Sequence, residues 1–147
     1  DEAETVSYLA EQLKEEFQGS EYALYAAMFI AKEYVADKKY DEAIEQLNWL
    51  LTVSEDQRIK HIVTARLARV LSAQDKHDEA LALLKPTDET FKASYLEITG
   101  DIKKRQGDTA GALDAYKSAF SLVKTTPQAQ PLLAVKLSDL GVDPQTL

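Results

Sequence analysis

Lys39-Tyr40-Asp41-Glu42-Ala43-Ile44-Glu45-Gln46-Leu47 decides the fold, because the chain repeats it. The first echo is Lys76-His77-Asp78-Glu79-Ala80-Leu81-Ala82-Leu83-Leu84, and the second is Gly107-Asp108-Thr109-Ala110-Gly111-Ala112-Leu113-Asp114-Ala115-Tyr116. Each copy has a polar turn, then an alanine, then a large apolar residue four positions on. Twelve positions before Ala43, Ala80 and Ala112 stand three more small residues, Ala31, Ala68 and Gly100. Two helices approach to the usual ~8–10 Å only where a side chain on each shrinks to a methyl group or less. Larger neighbours (Ile30 and Tyr34, Leu67 and Leu71, Leu96) fill the remaining space. The repeating unit is therefore a close helix pair.

The three alanines are 37 and then 32 residues apart, which straddles the ~34-residue period of tetratricopeptide repeats. Pro86 gives the irregularity a cause, since proline cannot sit inside a helix and cuts the second helix of the middle unit short. An unrelated helical bundle is the alternative. Working outward, 3.6-residue periodicity runs through nearly the whole chain. Val6, Leu9, Leu13 and Phe17 make one helical face, ended by Gly19, and Ser20 caps the next helix. Asp37-Lys38-Lys39 is a tight turn, Ser54 starts the fourth helix, and Thr87 or Asp88 caps the sixth. Gly107-Asp108 makes a turn and cap. Thr126-Pro127 opens the last helix, and Gly141 closes it.

The expected architecture is all-α: a right-handed α-solenoid of about three tetratricopeptide-like helix pairs with flanking N- and C-terminal helices. Its parts are a leading helix over 1–19, pairs over 21–53, 55–85 and 88–124, and a closing helix over 127–141. All belong to one domain, 1–147. The length suits one domain, and short turns make consecutive helices antiparallel.

A net charge of −8, from 25 acidic and 17 basic residues, argues against nucleic acid, whose binding relies on cations displacing counterions. It also argues against direct attraction to an anionic membrane surface. The chain has no cysteine, hence no disulfide and no thiolate chemistry, which suits cytoplasm or periplasm. No stretch approaches the ~18 apolar residues of a membrane helix. The sequence opens at Asp1 inside helical pattern rather than at a methionine, which leaves room for an anchor or signal upstream.

Catalytic signatures are missing: there is no Gly-rich phosphate loop, no histidine pair at i, i+4 and no nucleophilic serine elbow. His61 and His77 are too few for a zinc site, and His77 takes the repeat position of Tyr40. The paired carboxylates (Glu15-Glu16, Glu55-Asp56, Asp78-Glu79, Asp88-Glu89) fall at helix ends, where they meet the dipole or solvent. The sequence reads as no enzyme, with no cofactor and no metal. Trp49 reads as packing between repeats, with partner contact as the alternative.

The first helix of each pair should line a concave groove suited to a peptide or helix. Its free positions are Tyr25, Met28, Lys32 and Val35; Ile62, Ala65 and Arg69; then Ser94, Glu97, Asp101 and Arg105. The seven tyrosines, four of them between Tyr22 and Tyr40, suit an interface, where tyrosine is enriched. The alternative is a groove covered by the first or last helix.

Three segments also resemble a particular family. They are Arg66-Leu67-Ala68-Arg69-Val70, the Gly100-Asp101…Gly107-Asp108 spacing, and Lys136-Leu137…Asp139-Leu140. Over about Glu15 to Gly141 the chain is similar to the periplasmic domain of YfgM-like ancillary subunits of the bacterial SecYEG translocon. The resemblance implies an inner-membrane protein with one N-terminal anchor and this domain on the periplasmic face. It also implies partnership with the translocon and the chaperone PpiD, and a part in passing emerging proteins to periplasmic chaperones. The competing reading is a soluble cytoplasmic adaptor or co-chaperone that grips a terminal carboxylate. The Lys and Asn clamp such receptors use is poorly matched here, since the groove positions hold no asparagine.

Overall fold

The turns between paired helices set the connectivity. Lys38 (φ 60°), Asp75 (φ 62°) and Gly107 (φ +84°) adopt the left-handed conformation, each five residues before its repeat alanine. One such residue reverses the chain in a few positions, with a backbone bond closing each of the first and last turns: Lys39 N to Tyr34 O (2.8 Å) and Asp108 N to Lys103 O (2.9 Å). Both are the 6→1 bonds of a Schellman turn.

The computed structural model describes residues 2–17, 20–85, 89–124 and 131–147. Among them it has eight α-helices and no strand: α1 (Glu2–Glu16), α2 (Glu21–Ala36), α3 (Tyr40–Val53), α4 (Gln57–Ala73), α5 (His77–Leu83), α6 (Glu89–Arg105), α7 (Thr109–Val123) and α8 (Pro131–Asp139). A short 3-10 turn, Pro144–Thr146, follows. The helices fall into two compact units, Asp1–Gln74 with α1 to α4 and Asp75–Leu147 with α5 to α8.

In the first unit α2 lies against α3, and α3 against α4. Ala31 and Ala43 are buried in this stack, with Leu47 and Leu50 beside them. Val63, Leu67, Ala68 and Val70 supply the buried face of α4. Each fully buried Leu or Val is worth about 1.5–3 kcal/mol over exposure. Capping follows the sequence at Ser20, whose hydroxyl accepts from Ala23 N at 3.2 Å. At α4 it does not. Ser54 is a buried residue that ends α3, and the cap is Asp56, whose carboxylate accepts from Arg58 N at 2.8 Å. A carboxylate there also meets the helix dipole, an advantage a hydroxyl lacks.

The leading helix also departs from its expected face. Leu9 and Phe17 are about half exposed, and Ala10 is the buried position between half-buried Val6 and Leu13. Polar contacts supplement this thin apolar seam. Lys14 Nζ donates to Gln46 Oε1 (2.9 Å), Gln46 Nε2 donates to Glu11 Oε1 (2.9 Å), and Lys14 lies 4.8 Å from the centroid of the Trp49 ring. Trp49 is half-buried beneath a cation, a contact that ties α3 to α1.

In the second unit α6 and α7 form the closest pair, and α8 adds to α7. Ala112, Tyr116, Ala119, Phe120, Leu133 and Leu137 make one core. Gly100 faces the Tyr116 ring: a methyl group built on it would lie 2.5 Å from Cδ1 and 2.9 Å from Cζ. Asp108 caps α7, accepting from Gly111 N at 2.8 Å, and Gly141 (φ +79°) closes α8. Ala80 is fully buried in this unit, and Ala68 in the first. The expected roles of Gly19, Pro86, Thr87, Asp88 and Thr126-Pro127 lie outside the described residues.

Candidate functional site

Helix α2 is amphipathic in an unusual way, because its exposed side carries aromatic residues. Tyr22, Tyr25 and Phe29 are each at least half exposed. At steps of three and four residues they share one helical ridge. Lys32 continues that ridge, 6.0 Å from the Phe29 centroid and 3.9 Å from Glu33 Oε1. Met28, one position round the helix, is half-buried.

Beside the ridge is a pocket of about 280 Å³. Ala31 and Val35 of α2, Leu47 of α3 and Val70 of α4 give it an apolar lining. Lys32, Arg66 and Arg69 rim it. Of the sequence-selected residues, Lys32, Val35 and Arg69 thus meet at one place. Tyr25 is exposed outside that lining, Ile62 is partly exposed on α4, and Ala65 is buried and offers no surface. Arg66 was missed as a groove residue, although its spacing of three from Arg69 on one helix face would have found it.

The other side of α2 has opposite character. A cleft of about 740 Å³ includes Phe29, Ile30 and Tyr34 along with the carboxylates of Glu33, Asp37 and Glu42 and a single cation, Lys39. His61, also in this unit, has its pKa held below the ordinary 6.5, first by burial and then by the positive charge of Arg69. Asp56 is held below its ordinary value mainly by its side-chain bonds with Arg58.

In the second unit the selected residues meet a cation from α8. Lys136 Nζ lies 2.6 Å from Glu97 Oε1 and 2.8 Å from Asp101 Oδ1. Tyr116 donates its hydroxyl to Asp101 Oδ1 at 2.8 Å. Burial and this carboxylate push the phenol pKa well above its ordinary value. The closing helix thus engages Glu97 and Asp101. Arg105 is exposed near the end of α6. Among the described residues no group of three His, Asp or Glu side chains is arranged to hold a metal, and no helix is long and apolar enough to cross a membrane.

Close helix pairs, small residues at their crossings and an exposed aromatic ridge define an α-helical repeat domain. The chain belongs to the tetratricopeptide repeat-like domain family, whose sequence profile matches residues 1–142. It is 30% identical over 130 residues to the ancillary SecYEG translocon subunit of Neisseria gonorrhoeae, covering 88% of this chain and 62% of that one. It is 26% identical over 120 residues to the protein of the same name from Buchnera aphidicola subsp. Schizaphis graminum, covering 81% and 61%. With the Escherichia coli protein of that name the identity is 25% over 122 residues, covering 82% and 59%. The chain spans about three fifths of the length of these relatives.

Proposed function

We propose that the chain is a non-catalytic protein-interaction scaffold, part of an ancillary subunit of the SecYEG translocon. It works at the periplasmic face of the inner membrane, as one domain whose helix pairs span 21–53, 55–85 and 88–124. Its partners are the translocon and the chaperone PpiD, and its task is to help hand translocated proteins to periplasmic chaperones. The observation that carries this reading is the likeness to ancillary translocon subunits over more than four fifths of the chain. The exposed Tyr22, Tyr25 and Phe29 ridge supports it, because aromatic residues are enriched at protein interfaces. Tyr25, Met28, Lys32, Val35 and Arg69 in the first unit, and Glu97, Asp101 and Arg105 in the second, are the proposed partner-binding residues.

The test is photo-crosslinking of the full-length protein in its host, with the crosslinking residue at position 25 and, as a control, at position 104. Adducts with translocon subunits or PpiD from position 25, in a protein that fractionates with the inner membrane and is open to protease from the periplasm, are expected. A protein found in the cytoplasm with no such adduct would refute the reading.

A further inference from the structure

Three cations gather at the α2–α4 pocket of a protein with 25 acidic residues to 17 basic. Elsewhere Lys14, Arg58, Lys92, Lys103 and Lys136 each hold at least one carboxylate. Arg66 and Arg69 are exposed and have no carboxylate partner among the described residues, and Lys32 has only Glu33 at 3.9 Å. No carboxylate lines the pocket they rim. Gathering like charges around an apolar floor costs repulsion, which an arriving anion relieves. Burial lowers the pKa of His61 first, and the positive charge of Arg69 adds to that.

We propose that this pocket docks an acidic–apolar segment of a partner protein, with a bulky apolar side chain on Ala31, Val35, Leu47 and Val70 and flanking Glu or Asp side chains held by Lys32, Arg66 and Arg69. The proposal rests on the scaffold reading and gives its partner a chemistry. The volume of about 280 Å³ lies just under the ~300–1,000 Å³ of small-molecule sites and suits one or two side chains. Three separate cations on two helices call for several carboxylates in a chain rather than one terminal group. Arginine adds selectivity, since its planar fork takes a carboxylate with two parallel bonds. On the opposite side of α2 the carboxylates of Glu33, Asp37 and Glu42 outnumber the one cation, Lys39, and disfavour the same segment. The partner is therefore steered to one side of the helix.

The test uses the whole chain and fluorescently labelled ten-residue peptides with amidated C-termini. One has a Glu-Leu-Glu-Phe-Glu centre, and matched peptides carry Gln or Lys in place of Glu. Binding is read by anisotropy, and the site by methyl chemical shifts of Ala31, Val35, Leu47 and Val70. The acidic peptide should bind at least tenfold more tightly than the Gln version and shift those methyls. Arg69→Glu and Arg66→Gln should each weaken it about tenfold, while Lys104→Glu, an equal charge change to Arg69→Glu made in the other unit, should not. Melting curves of each variant check that it is folded. Equal binding of the Glu and Gln peptides, or no loss with Arg69→Glu, overturns the proposal. So does binding that appears only when the C-terminal amide is replaced by a free carboxylate. Crosslinking to the translocon that survives in an Arg69→Glu protein, alongside failed peptide binding, sinks the pocket and leaves the scaffold standing. Loss of translocon adducts with peptide binding intact does the reverse.

Discussion

Replacing Gly100 with alanine should destabilise the protein even though alanine is the better helix former. The exchange gains about 1 kcal/mol of intrinsic helix propensity. Against it, the new methyl carbon would sit 2.5 Å from Tyr116 Cδ1 and 2.9 Å from Cζ, with Cε1 nearer still. Comfortable carbon–carbon separation is ~3.5–4.0 Å, so the ring must move by about 1 Å. It has little room, being 1% exposed within a core that includes Ala112, Phe120, Leu133 and Leu137. Overpacking of this kind costs about 1–3 kcal/mol. Displacing the ring also strains the 2.8 Å bond from the phenol to Asp101, and a hydrogen bond to a charged group contributes about 1.5–3 kcal/mol. The net loss is about 2–3 kcal/mol, which lowers the melting temperature by roughly 4–12 °C at this size. Circular dichroism melts of the single variant, of Tyr116→Leu and of the double variant form the assay. The Gly100→Ala penalty should largely vanish in the Tyr116→Leu background. A neutral or stabilising Gly100→Ala, or a penalty unchanged without the ring, would refute the close-approach account.

Lys38→Gly should raise stability by about 0.5–1 kcal/mol in urea titration, because it relieves a left-handed non-glycine residue. Asp75→Gly should gain less, since aspartate tolerates that conformation better. Lys136→Met should cost about 2 kcal/mol, as it leaves Glu97 and Asp101 facing each other without their cation. Hydrogen exchange should show the loss in α6 to α8 first. Gln46→Ala removes the bridge to Glu11 and Lys14, so α1 amides should exchange faster while α3 and α4 keep their protection. His61 has a folded pKa below the ordinary 6.5, so the unfolded chain takes up its proton first as pH falls. Its share of stability is complete above about 6.5 and is lost on acidification from there toward the folded pKa. In urea midpoints between pH 8 and 5, His61→Gln should flatten that slope.

The pairs α2–α3 and α6–α7 were legible because packing at a crossing needs a methyl-sized residue at a fixed register, and such residues can be counted along a chain. Ala31 and Ala43 in the first, and Gly100 and Ala112 in the second, are all buried. Turn chemistry was legible where one residue type is required, as at Gly107 and Gly141. It misled at Ser54, because serine and aspartate are both good caps and only the chain path chooses Asp56. Leu9 and Phe17 misled for a related reason, since periodicity gives the width of an apolar stripe but not which edge of it finds a neighbour.

What the amino-acid order determined by itself is local: helix lengths, reversals and close crossings follow from side-chain size and backbone freedom within a few residues. What tertiary structure alone decided is which charges meet. Lys136 lies 35 residues from Asp101 and binds it, while Arg66 and Arg69 meet Lys32 across a pocket that no carboxylate lines. Coulomb energy depends on distance in space, and a one-dimensional pattern does not carry that distance.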